Sequence, residues 1–137
     1  MAAFSSPNSD RLPIEGCARW ADFAAQHHLP DAVRVAMDHA LAEHLQNIVD
    51  HSGATQVEIL FECAPKAVLA VVRDDGQAFD PTAAPEVDTT TPIEERPVGG
   101  LGIHMMRRLC NRLTYQRRGG INRLELSKAL DAGGSGG

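Results

Sequence analysis

The sequence predicts an α+β fold in which helices pack on one face of a mixed, mainly antiparallel sheet. Two changes of pattern lead to this prediction. Apolar residues recur at three- and four-residue steps in the first part of the chain, which is the helical period. Later they alternate with polar residues in short runs separated by turn signals, which is typical of strands. The 137 residues, 43% of them hydrophobic and 23% charged, fit one domain with a buried core.

Two helices are predicted before any central strand. A short helix is expected over 17–27 and a longer one over 31–51, because the pair Ser52-Gly53 is a helix C-terminal signal. The longer helix takes its apolar stripe from Val33, Met37, Ala40, Leu41, Leu45, Ile48 and Val49. The polar residues 1–11 are expected to form either a flexible leader or a short edge strand.

The second part of the chain alternates strands with a long polar segment. The predicted elements are a hairpin of strands at 57–62 and 68–72, a loop at about 80–98, a helix at 99–112, a second hairpin of strands at 113–117 and 121–126, and a disordered Gly/Ser tail at 131–137. The loop contains four prolines and three consecutive threonines. A loop of this length in a compact domain is usually functional or disordered, so it is expected to act as a lid.

Composition excludes several classes of protein. No apolar run reaches the roughly 18 residues that a membrane helix needs, and no secretory signal opens the chain. A net charge of −5 argues against direct nucleic-acid binding. Cys17, Cys63 and Cys110 form no CxxC pattern, which argues against a disulfide framework or a zinc site. We therefore expect a cytoplasmic protein with no membrane partner.

The longer helix carries the first polar group that suggests chemistry. Glu43, Asn47 and His51 follow one another at four-residue steps, so they lie along one line beside the apolar stripe. A carboxylate there can act as a base, and an Asn oxygen can bind Mg²⁺. The same spacing also arises by chance on the polar edge of an amphipathic helix.

Two further groups contain glycines. Asp74-Asp75-Gly76 follows a buried strand, and an Asp at a strand end can accept a hydrogen bond from an exocyclic amino group such as that of adenine. An ordinary acidic turn would have the same sequence. Gly99-Gly100-Leu101-Gly102 opens a predicted helix, where backbone N–H groups bind phosphate. Glycines at such a position also serve as packing or hinge residues.

The order of these motifs is more specific than any one of them. Glu-x-x-x-Asn on a helix, strand-Asp-x-Gly, a long loop and Gly-x-Gly opening a helix resemble the GHKL (Bergerat-fold) ATP-binding domain of gyrase, Hsp90, histidine kinases and MutL. The run Phe79-Asp80-Pro81 and the segment 99–109 are similar to the anti-sigma-factor serine kinases of bacterial partner-switching systems. The resemblance implies a two-layer α/β sandwich of Bergerat type over residues 12–130.

The resemblance also implies a role for each motif residue. Glu43 would be the catalytic base that deprotonates a serine hydroxyl, and Asn47 would bind the Mg²⁺ that bridges the ATP phosphates. The other implied nucleotide-binding positions are Asp74 and Gly76 at the adenine, Gly100, Gly102 and Arg96 at the phosphates, and Asn122 in place of a threonine that helps hold adenine.

The implied function is that of an ATP- and Mg-dependent serine-protein kinase and anti-sigma factor. It would phosphorylate a STAS-type antagonist protein, sequester a sigma factor or another target, and form a homodimer. Ala78 stands where the family has a second glycine, Asp50 adds negative charge near the phosphates, and Arg96 lies further upstream than expected. These departures favour an alternative, an ATP-binding switch with little or no kinase activity. A third possibility is a GHKL-shaped protein that binds no nucleotide.

The sequence does not predict a histidine kinase proper, because no dimerising helix with a phosphoacceptor His motif is present. The histidines at 27, 28, 39, 44, 51 and 104 are therefore expected at the surface or at its edge. A metal pair of His44 and His51 is disfavoured, because they lie seven residues apart without a third ligand.

Overall fold

The computed structural model describes residues 2–80 and 106–130. Its elements are β1 (Ala2–Pro7), α1 (Leu12–Gln26), α2 (Asp31–Asn47), a π-helical turn (Ile48–Ser52), β2 (Gln56–Cys63), β3 (Ala67–Asp74), a short helical turn at 106–109, β4 (Arg112–Arg118) and β5 (Ile121–Ala129). No helix in these two segments is long and apolar enough to cross a membrane.

The five strands form one sheet in the order β1-β2-β3-β5-β4, and every pairing is antiparallel. The predicted α+β class and antiparallel sheet are confirmed. Of the two expectations for the first residues, the structure has the edge strand, since β1 pairs with β2 from Ala2 opposite Phe61 to Pro7 opposite Gln56. The predicted hairpins are also present, with β2 paired to β3 and β4 to β5.

Both helices pack on one face of the sheet. The core between the helices and the sheet is aromatic at one end. There the ring centroids of Trp20 and Phe23 each lie 5.5 Å from the ring centroid of Phe61. The indole nitrogen of Trp20 donates a hydrogen bond to the carbonyl of Arg34 at 3.1 Å, which joins α1 to α2. Aliphatic side chains fill the rest, including Leu12, Met37, Leu41, Leu45, Ile59, Met106, Leu124 and Leu126.

Two helix boundaries differ from the prediction. The α1 helix begins at Leu12 rather than at residue 17, because Pro13 is tolerated in the first turn of a helix. The helix expected to reach residue 112 ends at 109 instead, since the backbone of Asn111 donates to Ser127 of β5 at 2.8 Å. Nearly all of the predicted lid, the start of that helix and the tail at 131–137 lie outside the described residues.

The sheet register explains how a carboxylate enters the core. In β3 every second residue from Val68 to Val72 is buried against the helices, and the same alternation places Asp74 on that face. Asp74 lies opposite Val57 of β2 and opposite Asn122 of β5. The end of β3 therefore delivers a buried carboxylate beside the C-terminal end of α2.

Candidate functional site

A narrow cavity lies where the end of α2, the π-helical turn, the end of β3 and the start of β5 meet. It is lined by His44, Asn47, Ile48, His51, Ser52, Asp74, Phe79 and Asn122. Its water-accessible volume is about 10 Å³, about the space that one water molecule needs. A larger ligand such as a purine base therefore requires these walls to move apart.

Asp74 lines this cavity and keeps one carboxylate oxygen without a hydrogen bond among the described residues. Its side chain is only 4% exposed, and Oδ1 accepts hydrogen bonds from the backbone N–H of Gly76 at 2.9 Å and from Nδ2 of Asn122 at 3.1 Å. Within residues 2–80 and 106–130, no hydrogen bond reaches Oδ2. The arrangement leaves Oδ2 as an acceptor for an amino group, which is the chemistry expected for adenine recognition.

The neighbouring carboxylate has a different role. Asp75 is exposed, and it accepts hydrogen bonds from the N–H groups of Thr55 at 2.7 Å and Gln56 at 3.2 Å, and from the Thr55 hydroxyl. These bonds, that from the Thr55 hydroxyl above all, lower the pKa of Asp75. The Asp-x-Gly motif singled out Asp74 and gave Asp75 no role. The structure shows that Asp74 lines the cavity while Asp75 ties the turn to the start of β2.

Gly76 makes the closest backbone approach at the site. A Cβ at this position would lie 2.5 Å from the carbonyl oxygen of Ser52, and the next residue, Gln77, donates its N–H to that same oxygen at 2.7 Å. The Ser52 hydroxyl in turn donates to the carbonyl of Ile48 at 2.9 Å and accepts from the N–H of Ala54 at 3.0 Å. The glycine thus lets the turn after β3 lie against the π-helical turn, while its predicted contact with a base stays a prediction.

The side-chain amide of Asn122 makes all of its hydrogen bonds to other groups of the protein. Its Nδ2 donates to Asp74 Oδ1 at 3.1 Å and to the carbonyl of Gln77 at 2.7 Å. Its Oδ1 accepts from Arg117 at 2.9 Å and from the Tyr115 hydroxyl. An amide has two N–H donors and two acceptor positions, and all four are occupied here. In this conformation Asn122 therefore orients the carboxylate of Asp74 and has no free donor or acceptor for a ligand.

At the end of α2, Asn47 lines the cavity and Glu43 does not. Asn47 is 6% exposed, and its Nδ2 has no hydrogen-bond partner among the described residues. A buried, unpaired amide at the last position of the α-helix suits a ligand-binding role. The side chain of Glu43, one turn earlier, is only partly buried.

The residues present fit a magnesium ion that nucleotide phosphates help to hold. Across the described segments no three His, Cys, Asp or Glu side chains cluster as a metal site. Mg²⁺ is commonly bound through one or two protein oxygens together with substrate phosphates and water, and Asn47 can supply such an oxygen.

His44 is where the sequence-based expectation is wrong. The imidazole is 4% exposed rather than at the surface, and burial lowers its pKa to about 4. Its Nδ1 has no hydrogen-bond partner in the described part of the chain. A signal for this was present, since His44 continues the apolar spacing of Met37, Leu41 and Ile48. The histidines at 27, 28, 39 and 51 are exposed as expected.

Three predicted phosphate-binding residues, Arg96, Gly100 and Gly102, lie outside the described residues. The structure therefore brings together Asn47, Asp74 and Gly76, with Asn122 behind Asp74. This is the adenine end of the predicted site and the expected metal ligand.

Comparison with known proteins gives matches of three kinds. A family model described as the histidine kinase-like ATPase domain matches residues 11–128. Serine/threonine-protein kinase BtrW of Bordetella bronchiseptica is 32% identical over 89 residues, covering 62% of this chain and 63% of its own. Serine-protein kinase RsbW of Halalkalibacterium halodurans is 30% identical over 89 residues, covering 60% of this chain and 54% of its own.

Among solved structures, the RsbU and RsbW domains of Rv1364c from Mycobacterium tuberculosis superpose with a TM-score of 0.63. That match covers 95% of this chain and 33% of the other at 17% identity, so it supports the fold alone. The chain spans less than two thirds of the length of the two curated relatives. Because the family model covers most of the sequence and the fold agrees with it, this chain belongs to the histidine kinase-like ATPase domain family.

Proposed function

We propose that this protein is an ATP- and Mg²⁺-dependent serine-protein kinase and anti-sigma factor. The observation that carries the proposal is the buried Asp74, which lines the cavity and whose Oδ1 is held by Gly76 and Asn122 while its Oδ2 accepts no hydrogen bond within the described residues. Two relatives whose names include serine kinase activity support the same assignment.

Each residue has a stated task in this proposal. Asp74 accepts a hydrogen bond from the adenine amino group, and Asn47 supplies an oxygen ligand to the metal ion. Bound Mg²⁺ would neutralise the charge that develops on the phosphates. Glu43 accepts the proton of the serine hydroxyl as its oxygen bonds to the γ-phosphorus, and ADP leaves with the electrons of the broken bond. Gly100, Gly102 and Arg96 would contact the phosphates.

The proposed partners follow from the resemblance to the anti-sigma-factor serine kinases rather than from any contact in the structure. The phosphate acceptor would be a serine of a STAS-type antagonist protein, and the protein would sequester a sigma factor or another target when the antagonist is phosphorylated. We further propose a homodimer. The three free cysteines are consistent with the reducing environment of the cytoplasm.

Calorimetric titration of ATP with Mg²⁺ tests the nucleotide site. We expect saturable binding to the wild type and at least about a tenfold weaker affinity for Asp74→Asn, because the amide can no longer offer two acceptor oxygens. Asn47→Ala should weaken binding of MgATP and leave metal-free adenosine nearly unaffected. Wild-type protein that binds no ATP at millimolar concentration would overturn the proposal.

A second candidate, an ATP-binding switch with little or no kinase activity, is favoured by one observation: Glu43 does not line the cavity. The two functions separate in a phosphotransfer assay with a serine-containing STAS protein as acceptor. Kinase function predicts that Glu43→Ala abolishes transfer while ATP binding is retained. Equal phosphotransfer by the wild type and by Glu43→Ala would refute Glu43 as the base. If the wild type transfers no phosphate to any STAS acceptor, the ATP-binding switch is favoured.

A further inference from the structure

Two side chains that line the cavity at the end of α2 each carry a buried polar atom with no hydrogen-bond partner among the described residues. These atoms are Nδ1 of His44 and Nδ2 of Asn47, which lie three residues apart on one face of the helix. Asn8 Oδ1 is the only other buried side-chain atom in the described segments without a hydrogen-bond partner. Buried polar groups are almost always paired, so two unpaired atoms on side chains that line one cavity indicate a ligand-binding surface.

We propose that His44 is a nucleotide-contacting residue whose ring nitrogen makes a hydrogen bond to the adenosine part of the bound nucleotide. This inference rests on the proposed function, since it concerns the same cavity. It adds a contact that the motif pattern does not contain, because the motif names Glu43 and Asn47 and assigns no role to His44, which follows Glu43 directly.

The chemistry of the cavity favours adenosine over the phosphates as the partner of His44. The ring is buried, and burial lowers its pKa to about 4, which keeps it neutral near pH 7 with one donor and one acceptor nitrogen. A neutral ring suits the uncharged edge of a base or a ribose hydroxyl, whereas a phosphate would favour a cation. Ile48 and Phe79 add apolar walls suited to the faces of a planar base, and Asp74 lies in the same cavity.

A purely structural role for His44 predicts the opposite mutational behaviour. His44 occupies the apolar stripe of α2, and an unpaired buried imidazole is a poor substitute there for a leucine of similar size. His44→Leu should therefore leave the protein at least as stable as the wild type while weakening nucleotide binding. A histidine kept only for packing would give lower stability and unchanged binding.

The test compares adenosine, ADP and MgATP by calorimetric titration of the wild type, His44→Leu and the matched control His39→Leu. His39 lies on the same helix but is exposed. We expect His44→Leu to weaken binding of all three ligands by about tenfold, the effect of one lost hydrogen bond in a buried site. The control should bind all three like the wild type. Unchanged affinity in His44→Leu, or a loss confined to MgATP, would overturn the inference.

A second measurement needs no variant. Nitrogen NMR of the imidazole rings should show a shift of a His44 ring resonance on addition of adenosine to the wild type, with the His39 resonances unmoved. An unmoved His44 resonance at saturation would refute the contact. If the wild type binds neither adenosine nor MgATP, the proposed function fails as well. If it binds both and His44 is silent, the contact alone fails.

Discussion

The buried imidazole of His44 makes the free energy of unfolding depend on pH. Burial lowers its pKa to about 4, against 6.5 for the exposed ring of an unfolded chain. The unfolded state therefore takes up a proton first as the pH falls. The contribution of the neutral ring is fully present above about pH 6.5 and is lost progressively as the pH falls towards 4. We expect the free energy of unfolding to fall by about 2 kcal/mol from this group between pH 7.5 and pH 5.

Urea denaturation at pH 7.5, 6 and 5 measures this effect, and His44→Gln isolates it from other titrating groups. The variant should lose less stability over that interval than the wild type, by about the amount assigned to His44. His39→Gln, on the exposed side of the same helix, should follow the wild-type profile. Parallel profiles for the wild type and His44→Gln would show that His44 does not carry the pH dependence.

Some site residues were predictable one at a time and others were not. Asp74 was predictable because the Asp-x-Gly motif follows a buried strand, whereas its burial on the helix face became apparent only from the strand alternation in the structure. The saturated amide of Asn122 was not, since its partners Tyr115, Arg117 and Gln77 come together only when β4 and β5 pair beside β3. A hydrogen-bond network that spans three strands leaves no local pattern in the sequence.

Between elements, the contact of the β3 turn with the π-helical turn depends on Gly76. A Cβ there would lie 2.5 Å from the carbonyl oxygen and 2.9 Å from the carbonyl carbon of Ser52, which are backbone atoms. We expect Gly76→Ala to lower the free energy of unfolding by about 2–3 kcal/mol in urea denaturation, because the overlap forces the two turns apart.

Gly119→Ala provides the matched control for this element contact. Gly119 lies in the β4–β5 turn with φ of 60°, and nothing lies within 4 Å of its added Cβ. It should lose only the backbone strain of a left-handed alanine, about 1 kcal/mol. A loss in Gly76→Ala no larger than in Gly119→Ala would mean that the two turns yield easily.

The helices and strands were largely predictable from the sequence, because apolar residues recur every three to four positions in the helices and every second position in strands such as β2. The α-helix α2 ends at Asn47, and the π-helical turn that continues it ends at the expected Ser52-Gly53 pair, with Gly53 at φ of 67°. The π-helical turn itself was not predictable, since the Ser52 carbonyl is held by Gln77 from a distant part of the chain. The sequence also did not decide whether residues 2–7 pair with the sheet, because apolar and polar residues do not alternate along β1.

For the whole molecule, one hydrophobic cluster joins the helices to the sheet in the described segments. Trp20, the only tryptophan in the sequence, lies inside that cluster with 1% of its surface exposed. Its fluorescence therefore reports the packing of both layers, while circular dichroism reports helices and strands. We expect the two signals to change together in a single unfolding transition.

Nucleotide binding should then stabilise the whole cooperative unit. A ligand that binds only the folded state at 100 times its Kd adds about 2.7 kcal/mol to the free energy of unfolding. MgATP should therefore raise the thermal midpoint of the Trp20 signal by several degrees, in proportion to the logarithm of its concentration. Asp74→Asn should show a much smaller rise at the same concentrations, since the cavity loses its free carboxylate oxygen. An equal rise in both proteins would mean that Asp74 does not contact the bound nucleotide. At one ligand concentration, the stabilisation depends only on the affinity of the folded protein for that ligand.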